Sequence, residues 1–259
     1  MEEFLIDSHC HLEDETYKNN LDEIILRANN VGVKKLVCIG TDLKTSIQAI
    51  EIANKYENVY AIIGIFPEYA KKEFKNISAI EELACNEKVI AIGEIGFDFH
   101  THSKAEMYEE QKQLFIKLID IANRKNLPVV IHSREACDET LNLIKEHKVN
   151  RGGVFHCYSY SYEIFKEINK LNFIVGFDGP ITFKNANSLR DVVSKIPLES
   201  IILETDSPYL TPVPFRGKVN EPSYLIYIAQ KLSEIKKVSL DEIKKVTTKN
   251  FMRLFFNEN

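Results

Sequence analysis

Apolar positions in this chain fall into short β-branched runs that alternate with stretches of helical period from one end to the other. Eight runs stand out: FLID (4–7), KKLVCIG (34–40), VYAIIGI (59–65), VIAIGEIG (89–96), PVVIHS (128–133), GGVFHCY (152–158), FIVGFDG (173–179) and SIILETD (200–206). Near-continuous apolar strands, each followed by a helix-like segment, predict parallel strands covered on their faces. Residues 105–126 show the helical half of the pattern, with Leu114, Leu118 and Ile121 recurring at helical intervals before Leu127-Pro128 stops the helix. Ser239 with Glu242 three residues on reads as a capping box for the last helix.

Eight such units predict an α/β fold, a TIM (β/α)8 barrel, as one domain over residues 1–259. A doubly wound open sheet is the runner-up, but it leaves the eighth strand unexplained and lacks a glycine-rich dinucleotide loop. No linker, short repeat or low-complexity tract divides the chain.

The composition is that of an ordinary soluble globular protein. The five cysteines are scattered and never form a CxxC pair, so the sequence argues against a disulfide framework or a structural zinc knuckle and for a reducing compartment. The chain opens on two acids, Glu2 and Glu3, without a basic leader, and no apolar run approaches a membrane span, so the expectation is a cytoplasmic protein that does not enter membranes. With 38 acids against 33 bases the formal charge is −5. Composition therefore offers no basic surface for nucleic acid, and a polyanionic substrate would have to be attracted by local cations.

Candidate chemistry gathers where the strands end. Metal-capable side chains end several different strands: His9 and His11 the first, Glu94 the fourth, His132 the fifth, His156 the sixth and Asp206 the eighth. Strand alternation puts His9 and His11 on one face with Asp7, which could orient a ring nitrogen, and turns Cys10 away. Any one of these histidines alone reads as a hydrogen-bonded core group. Four imidazoles and two carboxylates buried together without a cation would carry a large desolvation cost. Barrels place their active sites at this C-terminal rim. Six ligands exceed what one hydrolytic ion needs and imply two divalent ions, Mg²⁺, Mn²⁺ or Zn²⁺, with His9, His11 and Asp206 on one, His132 and His156 on the other, and Glu94 bridging.

The blocks DSHCHL, AIGEIGFDF, PVVIHSREA, GGVFHCYS, ITFKNA, ILETDSPYL and RGKVNEP run the length of the chain, and together they resemble the TatD family of metal-dependent deoxyribonucleases. The resemblance implies a metal-bearing TIM barrel that hydrolyses DNA, often from the 3′ end of single strands, in DNA repair or turnover. It carries over the six ligands named above and makes Asp206 a candidate for orienting or deprotonating the attacking water. The chain departs from the family pattern at GIFPE, where Phe66 replaces a histidine beside Glu68, and at HCYSYS, where Tyr160 replaces a glycine.

Candidate substrate contacts are Arg134, expected to start the helix after the fifth strand, Arg216 and Lys218 on the loop after the eighth, and His100. Tyr158, Phe99 and Phe66 could stack on bases; His102 is expected to be solvated. Two rival functions share the ligand set. One is a metal-dependent amidohydrolase or deaminase, which a lysine near the end of the fourth strand would favour over the Glu94 present. The other is a non-catalytic, metal-dependent nucleic-acid-binding protein. No protein partner is evident.

Overall fold

The computed structural model describes residues 4–101 and 103–258; Glu2, Glu3 and His102 lie outside the described residues. Each predicted apolar run forms a strand: β1 (Leu5–Cys10), β2 (Val33–Ile39), β3 (Val59–Ile63), β4 (Val89–Asp98), β5 (Val129–Arg134), β6 (Gly153–Phe155), β7 (Phe173–Phe177) and β8 (Ile201–Leu203). The helices are α1 (Leu21–Asn30), α2 (Leu43–Lys55), α3 (Ala70–Glu73), α4 (Ile77–Leu83), α5 (Lys104–Lys125), α6 (Cys137–Glu146), α7 (Tyr162–Lys170), α8 (Asn187–Lys195), α9 (Leu225–Lys236) and α10 (Leu240–Phe256).

The strands make one sheet in the order β1 to β8. β3–β4, β4–β5, β5–β6 and β7–β8 pair in parallel. Past the end of β8 the chain meets β1: Asp206 donates its N–H to the His9 carbonyl at 2.9 Å, and His11 donates to Ser207 at 2.8 Å. Sequential parallel strands with the first beside the last, and helices between them, are the topology of a TIM barrel.

By their contacts the residues group into two compact units. One comprises 4–37, 157–169 and 174–258; the other comprises 38–156 and 170–173. In the first, Tyr17 is buried and donates its hydroxyl to the Asn220 carbonyl at 2.5 Å. The Asn220 side chain in turn donates to Thr205 and Tyr209, which fixes the chain around Asp206. Ser239 caps α10 by accepting the Glu242 N–H. In the second unit every residue of β4 is buried, as a strand covered on both faces must be. α5 lays the expected Leu114, Leu118 and Ile121 into the core, begins with a Ser103–Glu106 capping box and ends at Asn126 in the left-handed conformation.

Three strands end later than expected. β1, β4 and β5 run three, two and one residues further than their apolar runs, to Cys10, Asp98 and Arg134, so His9, Glu94 and His132 lie inside strands rather than after them. Ladder pairing of Phe97 with Ser133 and of Asp98 with Arg134 carries β4 and β5 past the point where their apolar character ends. Arg134 therefore closes β5, and the following helix starts at Cys137.

Asn250, buried on α10, donates to the carbonyls of Leu198 and Ile201 at 2.8 and 2.7 Å, and so ties the last helix to the start of β8. Asn250→Leu keeps the volume but removes both donors, and should lower stability by about 2–3 kcal/mol. For a chain of this size that is a fall of roughly 5–10 °C in Tm, read by calorimetry or circular dichroism. A change below about 1 °C would show that these carbonyls do not depend on the amide.

Candidate metal centre

In the first unit, β1 alternates faces as its sequence requires. Cys10 points away and donates its thiol to the Val37 carbonyl at 3.3 Å, while His9 and His11 face Asp206. His9 Nε2 lies 3.6 Å and His11 Nε2 3.5 Å from Asp206 Oδ1, and the three residues bring ligand atoms within 4.8 Å of one another. Atoms about 3.5 Å apart can each stand at the roughly 2.0–2.2 Å of a metal–nitrogen or metal–oxygen bond from an ion between them. His11 Nδ1 is 3.2 Å from Glu13 Oε1. With that nitrogen donating its proton to the carboxylate, Nε2 is the nitrogen that would give its lone pair to a cation beside Asp206, the arrangement that a ligand needs. Burial opposes charge on His11, but Asp206 and Glu13 outweigh it and hold the imidazole well above its usual range.

Asp206 has a φ of +54°, a conformation aspartate tolerates better than most residues. Its backbone is pinned on both sides, by its N–H to His9 and by the Tyr209 N–H donated to its carbonyl at 2.9 Å. Asp7 does not act as the sequence suggested. It accepts the Thr205 N–H at 2.9 Å and hydroxyl at 2.6 Å, and the His9 backbone N–H at 3.4 Å, so it braces the Thr205–Asp206 turn rather than an imidazole nitrogen. Burial, with the Asp206 charge nearby, pushes Asp7 up to about 7 in spite of those hydrogen bonds.

In the second unit three side chains converge. Glu94 Oε1 is 2.5 Å from His132 Nδ1 and 2.6 Å from His156 Nε2, and the two nitrogens are 3.2 Å apart. Two imidazole nitrogens and a carboxylate oxygen aimed at one point suit a borderline divalent cation. Desolvation works against the Glu94 charge, yet His156 and His132 hold its carboxyl well below the ordinary range, and His132 is raised in turn, mainly by Glu94 against the cost of its burial. The far nitrogen of His132, Nε2, meets Asp98 Oδ2 at 2.8 Å. Asp98 is itself held at both backbone ends by the buried Gln111 of α5, which accepts its N–H and donates to its carbonyl, each at 3.0 Å. Gly96 lets β4 lie this close: its φ is +144°, and a Cβ there would stand 2.0 Å from the His132 carbonyl oxygen.

The sequence missed Asp98, Gln111 and Glu13 as supports. Asp98 and Glu13 carried a readable signal, lying four residues beyond Glu94 and two beyond His11. Gln111 carried none, since only the packing of α5 brings it to β4.

The predicted substrate contacts divide. Arg134 is exposed at the end of β5, two residues past His132. His100 is exposed and its Nδ1 lies 2.7 Å from Glu135. Arg216 donates to the Thr211 carbonyl at 2.9 Å and stacks 3.9 Å over Phe183, which uses one of its donors; Lys218 lies over Phe215. Tyr158 is a correction: it is 3% exposed, packs against Phe177 and Tyr160, and donates its hydroxyl to Ser161 at 2.7 Å, so its ring has no face for a base. Phe99 is half-buried against Phe97 and Tyr108. Phe66 meets the His132 ring edge-on at 4.6 Å, and Tyr209 meets His11 in the same way at 5.8 Å.

Comparison with known proteins agrees with this donor chemistry. The TatD related DNase family profile matches residues 6–256. An uncharacterized metal-dependent hydrolase of Bacillus subtilis, YabD, is 41% identical, covering 97% of this chain and 98% of its own. Its counterpart YcfH of Escherichia coli K12 is 35% identical, covering 97% of this chain and 96% of its own. Among solved structures, the TatD homologue YjjV of Escherichia coli K12 superposes with a TM-score of 0.91 at 30% identity over 98% of both chains. A TatD family hydrolase of Entamoeba histolytica gives 0.85 at 26% identity over the full length of both. With a family match that spans nearly every residue, and relatives of the same length that are themselves metal-dependent hydrolases, this chain belongs to the TatD family.

Proposed function

We propose that this metal-dependent hydrolase is a deoxyribonuclease that trims single-stranded DNA from the 3′ end, in DNA repair or turnover. The observation that carries the reading is the meeting of Glu94, His132 and His156 donors within 2.5–3.2 Å, a set built for a divalent cation. The matching family is described as a DNase family, and the chain, at −5, has little other positive charge to offer a phosphate. His9, His11 and Asp206 would hold one ion, and Glu94, His132 and His156 a second. Ions held there supply Lewis acidity and lower the pKa of water beside a phosphodiester.

The protein's own groups do the rest. Glu13 and Asp98 hold the outer nitrogens of His11 and His132, so that the inward nitrogen of each is the one that would give its lone pair to an ion. Asp206, whose Oδ1 faces both imidazoles of its set, is the carboxylate that would orient the attacking water and take its proton. Arg134, with its fork of donors at the end of β5, is suited to a non-bridging phosphate oxygen, and Arg216 keeps donors for the same purpose. His100 is a further phosphate contact once it leaves Glu135.

Protein stripped with chelator should not cut end-labelled single-stranded DNA, and reloading with Mg²⁺, Mn²⁺ or Zn²⁺ should restore a 3′-to-5′ ladder. His132→Ala and Glu94→Ala should each lower kcat/KM by about 10³-fold or more, a loss typical of removing charge stabilisation at the reacting centre, with circular dichroism unchanged. Wild-type cleavage by either variant, or cleavage in chelator, would refute the assignment. Asp98→Asn keeps an acceptor for His132 but removes its charge. It should weaken divalent-ion binding about 10–100-fold in calorimetric titration, without itself touching the ion.

A further inference from the structure

After β3 the chain turns through the sequence FPEYAKKEF, residues 66–74. The Phe66 N–H donates to the Thr41 carbonyl at 2.8 Å, and the Tyr69 N–H donates to the Phe66 carbonyl at 2.9 Å. Pro67, at the first position of this short 3-10 turn, fixes its backbone. The turn holds the Phe66 and Tyr69 rings 6.1 Å apart at 60°. One end of this aromatic step is anchored at the candidate centre, because Phe66 packs edge-on against His132. The other end opens outward: Tyr69 is 38% exposed.

The His132 nitrogens face Glu94, His156 and Asp98, so Phe66 makes no polar contact with the ring. It lays an apolar surface beside a ligand, at a point where a charged substrate would be expected to meet polar groups. Glu68, half-buried between the two aromatics, disfavours a phosphate on this stretch. The cations nearby are partly engaged: Lys71 pairs with Glu110 at 3.3 Å, and Lys72 lies 3.5 Å from Glu73 and 5.8 Å above the Tyr69 ring. The turn is thus suited to flat, uncharged π surfaces rather than to a phosphate.

We propose that Phe66 and Tyr69 form a base-stacking platform: the nucleobase next to the phosphate at His132 stacks on Phe66, and its neighbour stacks on Tyr69. This rests on the DNA-hydrolysing reading above and adds how the strand is held. Stacking tolerates any base, since every base has a π face. It also gives an acidic chain a hold on DNA that does not depend on a basic patch. The turn is fixed before substrate arrives, so little conformational freedom is lost on binding.

The test uses metal-loaded protein and single strands with phosphorothioate linkages, which slow cutting. Binding is read by anisotropy, and by 2-aminopurine fluorescence at each of the two positions. Wild-type protein should bind a strand with both bases more tightly than one abasic at those positions by about 30-fold or more, about fivefold or more for each stack. Tyr69→Ala and Phe66→Leu should each lower that preference about fivefold by weakening only the base-containing strand, and Tyr69→Ala should raise KM more than it lowers kcat. An equal preference in the variants, or none in the wild type, overturns the platform. So does a Tyr69 effect confined to aryl esters such as bis(4-nitrophenyl) phosphate. Base preference without cleavage would sink the nuclease reading and keep the platform; cleavage without base preference would do the reverse.

Discussion

The constraint on which the second unit turns is a buried carboxylate held between two imidazoles. Glu94 is 4% exposed, and its oxygen lies within 2.6 Å of nitrogens from both His132 and His156. Left alone at that depth its charge would cost several kcal/mol. It is compensated either by protons shared with the imidazoles or by a cation in their place, and the surrounding backbone is set to keep that compensation close. Gly96 brings β4 against the carbonyl of His132, and the β4–β5 ladder puts the two residues in register. The His156 N–H, donated to Ile131, then brings the third donor in from the end of β6.

Much of this was legible in the sequence, for a physical reason. Parallel strands covered on both faces must be apolar almost throughout, so FLID, VIAIGEIG and PVVIHS announce themselves, and a histidine or glutamate among such residues is conspicuous. The same logic explains where reading failed. β4 and β5 continue past their apolar runs because ladder pairing, not side-chain polarity, ends a strand; Glu94, His132 and Arg134 were accordingly placed one step too far along. Tyr158 looked like a rim aromatic by its neighbours in sequence, but a three-residue β6 turns its ring into the core against Phe177. Asp7 shares a face with His9, yet its oxygens are claimed by the Thr205 N–H and hydroxyl.

The acidic balance of the chain has a counterpart in how its cationic side chains are used. Arg27, Arg124 and Lys104, for example, are engaged with Glu221, Glu81 and Glu139. On the nuclease reading, attraction for a polyanion would come from ions held at the centre together with Arg134 and Arg216, and stacking would add a contact that is not ionic. Phe66 fits that demand better than the histidine it replaces in the family pattern. An imidazole beside His132 would add a further titrating group to a cluster already crowded with them, whereas a phenyl ring adds surface without adding charge.

The two candidate ligand sets are braced in similar ways. His11 gives Nδ1 to Glu13 and turns Nε2 toward Asp206; His132 gives Nε2 to Asp98 and turns Nδ1 toward Glu94. In each, a carboxylate on the far nitrogen fixes which lone pair faces inward and raises its basicity. Which nitrogen is used follows from where each support lies along the chain. Glu13 comes from just beyond β1, while Asp98 comes from further along β4, where Gln111 holds it from the helix behind. A replacement that preserved a ligand's size but reversed its inward nitrogen would therefore fail in either set, because the tautomer is dictated by a carboxylate that the ligand itself does not carry.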